Sequence, residues 1–396
     1  MKDYFARKID EGMGMAVAKR TYLRPGESWA DVARRVAEGN CSLVPVTEEE
    51  QFELTKAIAK ASFLPAGRHL QHGDNTQKDR NIEVFSNCST SCSSFIKFYL
   101  LLNGSGVGRM YNDDLMLVDW KNMPDVVLQL DPKHKDFKEF IKLVYGKRVR
   151  DKFAVANETY NDIKDAYFHG FELYLRELDR VSPFCDKHVQ YDIDDSREGW
   201  AKALEHVEVM AFEKKSDHQL VLNFSEIRES GKPIKGMQNR PASGPAFTAY
   251  CFHKIAKIKK NIFSFTDHAL GGEVEWHLDN PMPWLQTMLI DHYASECVAN
   301  GGARRSARIS VKYWGDPQIK DFINLKRRFA NSSGESILWS SNNSVGVDQE
   351  FWGSAKKEDT TAWNVYQEIV NASFGHGTGE PGMVNLDKLT ANEEGI

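Results

Sequence analysis

The chain has 396 residues, 41% of them hydrophobic and 11% aromatic, enough to bury a large core, and its length fits one large domain with a smaller one. A formal net charge of -5 excludes the global basic field on which binding to a nucleic-acid polymer leans, although local cationic patches stay open. The N-terminus MKDYFARKIDEG has no apolar signal core, and stretches such as FIKFYLLL (95–102) are too short to span a bilayer, which argues against a membrane partner and for the cytoplasm.

Residues 1–80 read as an N-terminal helical region. SWADVARRVAEG (28–39) has apolar positions at helical spacing, and Thr47-x-x-Glu50 forms a capping-box pattern ahead of a second helix. From about residue 82, β-prone runs alternate with helical patterns: EVFSNC, SFIKFYLLL, LVLNF, ISVKY, NSVGV and MVNL. That alternation predicts an α/β domain over 81–396. Within it, the charge-rich stretch 112–190 is less regular and reads as a helical insertion. Asp195-Ser196 marks the start of the helix REGWAKALEHVEVMAF, and Asp316-Pro317 the start of QIKDFINLKR, with Pro317 suited to the first helical position.

Six cysteines (Cys41, Cys88, Cys92, Cys185, Cys251, Cys297) dispersed over a long chain argue against a disulfide framework. Cys88 and Cys92 have no second cysteine or histidine pair nearby, so no metal site is expected. In FSNCSTSCSSFIKFYLLLNGSGVG (85–108) a strand ends at Cys88, a serine-rich turn starts a helix, and the helix ends at Asn103-Gly104, so that the glycine turn folds back beside the cysteine. Gly104, Gly106 and Gly108 permit positive φ and close backbone approach to a ligand, but the same spacing also serves a tight turn. On spacing alone Cys88 reads as an inert small hydrophobe sooner than as a reactive thiol, since an isolated strand cysteine is more often the former.

In NGGARRSARIS (300–310), Arg304, Arg305 and Arg308 put three guanidinium groups on or beside one loop, suited to phosphates or base edges or to pairing with acidic neighbours such as Asp316. A second glycine-rich basic loop, IRESGKPIKGMQNRPASGP (227–245), offers Arg228, Lys232, Lys235 and Arg240 to a polyphosphate.

Taken in order, NC, GSGVG, DSREGW, IRESGKPIKG with ASGP, NGGARRSAR, SSNNSVGVD and TGEPGMVNLD resemble the large catalytic chain of ribonucleotide reductases, most like the adenosylcobalamin-dependent class. The match runs over roughly residues 60–390. It implies an N-terminal helical region followed by the first half of a ten-stranded α/β barrel. It also implies a thiyl radical that removes the 3′-hydrogen of a ribonucleotide, loss of the 2′-hydroxyl as water, and two further cysteines as reductant. Cys88 matches the first reducing cysteine, Asn87 and Cys88 a substrate-contacting pair, and Gly106 a glycine whose backbone meets the substrate. Arg228 and Lys235 match phosphate-binding cations for a deoxynucleoside triphosphate effector. Asp195, Ser196 and Arg197 match the motif that meets that effector at a helix start, where Asp195 can also cap the helix. Asn300, Gly301, Gly302, Ala303, Arg304, Arg305 and Ser306 match the loop that relays effector identity to the substrate. The insertion resembles that of monomeric members, so no homodimer is expected.

The N-x-C-x-E motif that carries the radical cysteine in this family does not occur in the chain. The resemblance therefore implies either a fragment of a longer chain or, the preferred expectation, a natural split in which the C-terminal half of the reductase is a partner on a separate chain. Through that half a thioredoxin-like reductant would act. A non-catalytic deoxynucleotide-sensing regulator is the competing expectation, and the radical source and the phosphorylation state of the substrate stay open.

Overall fold

The computed structural model describes residues 12–80, 85, 88–146, 160–181, 186–234, 240–267, 269, 272–280, 282–300, 307–334, 336–375 and 379–390. The chain divides into two compact units, one formed by Met1–Ser89 with Asn103–Ser105, the other by Thr90–Leu102 and Gly106–Ile396.

The first unit is built on helices α1 (Gly12–Thr21), α2 (Trp29–Cys41), α3 (Glu48–Ala59) and α4 (Gly67–His72). Both α2 and α3 begin in reciprocal capping boxes. Ser28 accepts from the Asp31 amide while Asp31 accepts from the Ser28 amide at 3.0 Å, and Thr47 and Glu50 repeat the exchange, as the Thr47-x-x-Glu50 pattern predicts. Such a cap is worth about 1 kcal/mol per helix. Trp29, Val32, Val36, Ile58 and Leu70 close the core, and the Trp29 indole donates to the Ile58 carbonyl at 3.2 Å.

The second unit continues with β1 (Cys88–Thr90, shared between the units), α5 (Ser94–Leu102), β2 (Gly106–Met110), β3 (Asp125–Gln129), α6 (Phe137–Phe140, running into a π-helical turn to Tyr145), α7 (Tyr160–Asp179), β4 (His188–Asp192), α8 (Arg197–Phe212), β5 (Gln219–Asn223), β6 (Pro233–Ile234) and β7 (Arg240–Pro241). It ends with α9 (Pro245–Ile258), β8 (Ile262–Asp267), β9 (Gly272–His277), α10 (Pro283–Asn300), β10 (Arg308–Tyr313), α11 (Ile319–Ile323), α12 (Leu325–Arg328), β11 (Ser341–Val347), α13 (Gln349–Ser354), α14 (Thr361–Gly375), β12 (Gly382–Asn385) and α15 (Leu386–Thr390). The main sheet has the order β1-β2-β10-β11-β12, and β2, β10, β11 and β12 pair in parallel. A separate parallel sheet has the order β3-β5-β4, and β6-β7 and β8-β9 are antiparallel pairs. The mixed α/β class expected from the alternation of elements is therefore the one observed.

Helix α5 packs against α8 and α10, and α10 against α9, around one large apolar core. On β10 burial alternates: Arg308, Ser310 and Lys312 are buried, whereas Ile309 on the opposite face is 44% exposed. The covered face of this central strand is thus the polar one. Parallel sheets are ordinarily covered on both faces.

Several local expectations change or are decided. The strand at the cysteine begins at Cys88 instead of ending there, and residues 86 and 87 lie outside the described residues. SFIKFYLLL, read both among the β-prone runs and as the helix that ends at Asn103-Gly104, is helical throughout, because Lys97, Phe98 and Leu101 at helical spacing are its buried stripe. Of the three glycines in GSGVG only Gly104 has positive φ, at 78°, since Gly106 and Gly108 are part of β2. The helix expected at Pro317 starts at Ile319, after a turn in which the Asp316 carboxylate accepts from the Gln318 amide at 2.8 Å. Strands β3 and β4 also lie within the stretch read as a helical insertion; their short, partly polar runs carry little periodic signal.

Candidate functional site

The cysteine segment and the glycine turn do adjoin. Cys88 is an exposed free thiol, and the neighbouring Ser89 hydroxyl lies 2.9 Å from that of Ser105 in the turn. Arg68, buried within FLPAGR, holds the same turn by donating through Nη1 to the Asn103 carbonyl at 2.7 Å. Nothing in the spacing of FLPAGR singles out Arg68 for this. Gly106 follows directly as the first residue of β2, and Asn87 lies outside the described residues.

On the effector side, Ser196 is the N-cap of α8: its hydroxyl accepts from the Gly199 amide at 2.9 Å. The capping role expected of Asp195 thus belongs to its neighbour. The Asp195 carboxylate instead accepts from Arg228 Nε at 2.5 Å, and Arg228 Nη1 donates to the Pro233 carbonyl at 3.2 Å. Arg228 therefore joins the start of α8 to the foot of the β6-β7 hairpin, the two segments expected to meet an effector. Arg197 is the first residue of α8, and Lys235 lies outside the described residues. Gly244, with φ of 74°, precedes Pro245 at the start of α9; a Cβ there would approach Asp136 Oδ2 to 2.5 Å. That carboxylate oxygen accepts from the Ser230 amide at 2.7 Å and fixes the hairpin foot from below. Lys232 and Lys135 both reach Glu229, whose carboxyl is held below its ordinary range chiefly by the Lys135 hydrogen bond.

In sequence, the segment expected to relay effector identity falls between α10, which ends at Asn300, and β10. Its residues Gly301, Gly302, Ala303, Arg304, Arg305 and Ser306 lie outside the described residues. Arg308, expected beside this loop as a ligand, is instead 1% exposed on the covered face of β10, and its Nη1 donates to the Met288 carbonyl at 3.3 Å. It belongs to a buried charge cluster about Asp291 of α10. Asp291 accepts from Tyr111 at 2.6 Å and lies 3.4 Å from both Lys97 Nζ and Arg109 Nη1. Burial opposes the charge on Asp291, but Lys97, Arg109 and Arg308 hold its pKa at about 2. Complete burial lowers the Lys97 ammonium to about 7, with Arg308 and Arg109 adding to that shift and Asp291 opposing it.

Two other motifs are structural where they can be seen. Asp348 of SSNNSVGVD caps α13 through the Phe351 amide and accepts from Tyr313 at 2.7 Å and Trp314 at 3.0 Å. Glu380 of TGEPGMVNLD pairs with Lys326 at 2.5 Å and accepts from the Asn343 amide at 3.2 Å, joining that motif to β11. Among the described residues no three His, Cys, Asp or Glu side chains gather as a metal site, and no helix is long and apolar enough to cross a membrane.

Comparison with known proteins bears out the resemblance read from the motifs. Residues 156–258 match the family model described as the insertion domain of B12-dependent ribonucleotide reductase. The chain is 28% identical, over 93% of its length and 50% of the relative's, to a putative adenosylcobalamin-dependent ribonucleoside-triphosphate reductase of Mycobacterium phage D29. It is 25% identical to the adenosylcobalamin-dependent ribonucleoside-triphosphate reductase of Lactobacillus leichmannii, over 95% of this chain and 48% of the relative. A crystal structure of a B12-dependent (class II) ribonucleotide reductase superposes with a TM-score of 0.63 at 22% identity, covering 94% of this chain and 49% of that one, which shows a shared fold. The chain spans about half the length of the curated relatives it matches.

Proposed function

We propose that this chain supplies the N-terminal part of an adenosylcobalamin-dependent ribonucleotide reductase, and that a separate C-terminal half completes the barrel and brings the radical cysteine. The observation that carries the reading is the main sheet. Its five strands are what half of a ten-stranded barrel would contain, its core is parallel, and the face bearing Ile309 is left partly exposed where parallel sheets are normally covered.

In this reading Cys88 is one of two thiols that reduce the substrate. The radical removes the 3′-hydrogen and later returns it, the 2′-hydroxyl departs as water with one thiol proton, and the second thiol proton replaces it at C2′. The two electrons come from the sulfurs, which end as a disulfide between Cys88 and a cysteine of the C-terminal half. The exposed position of Cys88 suits an exchange that needs a facing partner at a Cα separation of about 5.5–6 Å. Gly106, at the start of β2, offers backbone to the substrate, with Asn87 beside Cys88. The segments joined by Arg228, with Asp195, Ser196, Arg197 and Lys235, would receive a deoxynucleoside triphosphate, and residues 300–306 would relay its identity. Adenosylcobalamin, when bound, supplies the radical.

The test mixes the full chain with a chain bearing an N-x-C-x-E loop, adenosylcobalamin, a thioredoxin-type reductant and a ribonucleotide. Association and deoxyribonucleotide formation are expected, with turnover lost in Cys88→Ser. Turnover that survives the substitution removes the role of Cys88. Nucleotide binding without association or turnover replaces the enzyme reading by that of a deoxynucleotide sensor.

A further inference from the structure

Helix α5 has no strong cap of its own. The first amides of any helix lack intrahelical partners, and a Ser, Thr, Asp or Asn just before the helix usually satisfies one of them. Here the Ser93 hydroxyl reaches the Ile96 amide only at 3.5 Å. The work falls to Glu208, more than a hundred residues later in the chain and 5% exposed. Its carboxylate accepts from the Ser94 amide at 3.0 Å, the Phe95 amide at 2.8 Å and the Ser93 hydroxyl at 3.1 Å. Burial raises its pKa and the two backbone hydrogen bonds oppose that rise.

The same turn has two further attachments. Arg109 of β2 donates through Nη1 to the Ser94 hydroxyl at 3.0 Å and lies 3.4 Å from Asp291 on α10. Glu208 stands on α8, whose first turn carries Asp195, Ser196 and Arg197; a helical rise of about 17 Å separates Arg197 from Glu208. The first turn of α5 is therefore where three elements meet: the helix that starts at the effector motif, the strand that starts at Gly106, and the helix that ends at Asn300.

We infer that Glu208 is a positioning residue, which transmits the state of the effector motif along α8 to the first turn of α5 and, through Arg109, to the strand that carries Gly106. This route is additional to residues 300–306, and it rests on the effector reading proposed above. A helix is stiff along its axis, so a displacement at Ser196 arrives at Glu208 as a displacement of its carboxylate. Three hydrogen bonds with a buried acceptor must then move together or break.

Hydrogen exchange measured on the full chain tests this, with each of the four deoxynucleoside triphosphates as probe and a separate equilibrium-binding measurement beside it. In the unsubstituted chain a bound nucleotide is expected to slow exchange of the amides between residues 93 and 98 about tenfold. In Glu208→Gln an NH2 donor replaces one of the two carboxylate oxygens that share the three donors, so the slowing should fall below about twofold while nucleotide affinity stays within about threefold. Ser93→Ala keeps the two backbone contacts and should retain part of the slowing, which decides the matter if Glu208→Gln does not fold. A purely structural cap would raise exchange equally with and without nucleotide. That result, or nucleotide binding that leaves residues 93–98 unchanged in the unsubstituted chain, overturns the inference and leaves the effector reading in place. Failure of every nucleotide to bind overturns both, and is seen in the binding measurement alone.

Discussion

Arg228 donates through Nε to the Asp195 carboxylate at 2.5 Å and holds the Pro233 carbonyl with Nη1 at 3.2 Å, so this guanidinium is oriented before any anion reaches it. A guanidinium has five N–H donors in a fixed fork, and these two bonds leave donors over for a phosphate. Arg228→Ala is expected to weaken deoxynucleoside triphosphate binding by roughly tenfold to a hundredfold, and Arg228→Lys by less, measured by equilibrium dialysis. Because both side chains are about a third exposed, their pair contributes under about 1 kcal/mol to folding, and the melting temperature should hardly move.

Gly199 should prove less tolerant than its place in a helix suggests. A Cβ there would lie 2.5 Å from the Asp194 carbonyl oxygen and 2.8 Å from the Asp194 Cβ. Gly199→Ala must push residues 194–195 outward, at a cost of roughly 1–3 kcal/mol, and it should weaken nucleotide binding by displacing Asp195. Gly353→Ala, on exposed α13 with open space around it, is the control, expected to be neutral or stabilising by up to about 1 kcal/mol. Denaturant midpoints and nucleotide affinities of the two variants check this.

Asp291→Asn removes the one carboxylate shared by Lys97 and Arg109 in a fully buried setting. Loss of one partner from a buried ion pair costs roughly 3–5 kcal/mol, because the cations left behind stay desolvated. A fall of that size in urea-unfolding free energy is expected for this variant. Asp31→Asn, at an exposed capping box, should shift it far less.

The first unit should loosen in mild acid. Burial, with Arg80, Arg68, Arg24 and Arg35 nearby, lowers His72 from 6.5 to about 4. The unfolded chain binds that proton first, so the stability from neutral His72 is fully present above pH 6.5 and is lost as pH falls towards 4. The loss should be of order 2 kcal/mol, seen as faster hydrogen exchange in α2 at pH 4.5 than at pH 7 after correction for the intrinsic rate, and a His72→Gln variant should flatten it. A second, lower step belongs to Asp74. Burial works against its charge, but hydrogen bonds from Thr76 and Arg24 lower it to about 2, so its contribution disappears between 3.8 and 2.

The features legible in the sequence are the local ones. The Thr47 cap, the helix start at Asp195-Ser196 and the strands LVLNF, ISVKY, NSVGV and MVNL follow from side chains within a few residues of one another. What was hidden depends on distant partners. Nothing near Glu208 marks it as the cap of α5, and nothing near Arg308 marks it as the neighbour of Asp291 instead of a nucleotide ligand. SFIKFYLLL suits strand and helix alike by composition, and its place between α8 and α10 decides for helix. Which face of β10 is inside was hidden for a further reason. Alternation normally tells which side of a strand is inside, but on β10 the buried side carries Arg308, Ser310 and Lys312.

That inversion gives the strand two separable jobs. Even-numbered residues of β10 answer to the fold of this polypeptide, through Met288, Ser341 and Tyr111, which they touch at 3.3 Å or less. Of the odd-numbered ones, Tyr313 donates to Asp348 at 2.7 Å, but the apolar Ile309 and Val311 are less covered than the even-numbered residues. Their apolar character would be spent on whatever covers the sheet, so alternate positions along six residues carry two independent sets of constraints, one on folding and one on recognition.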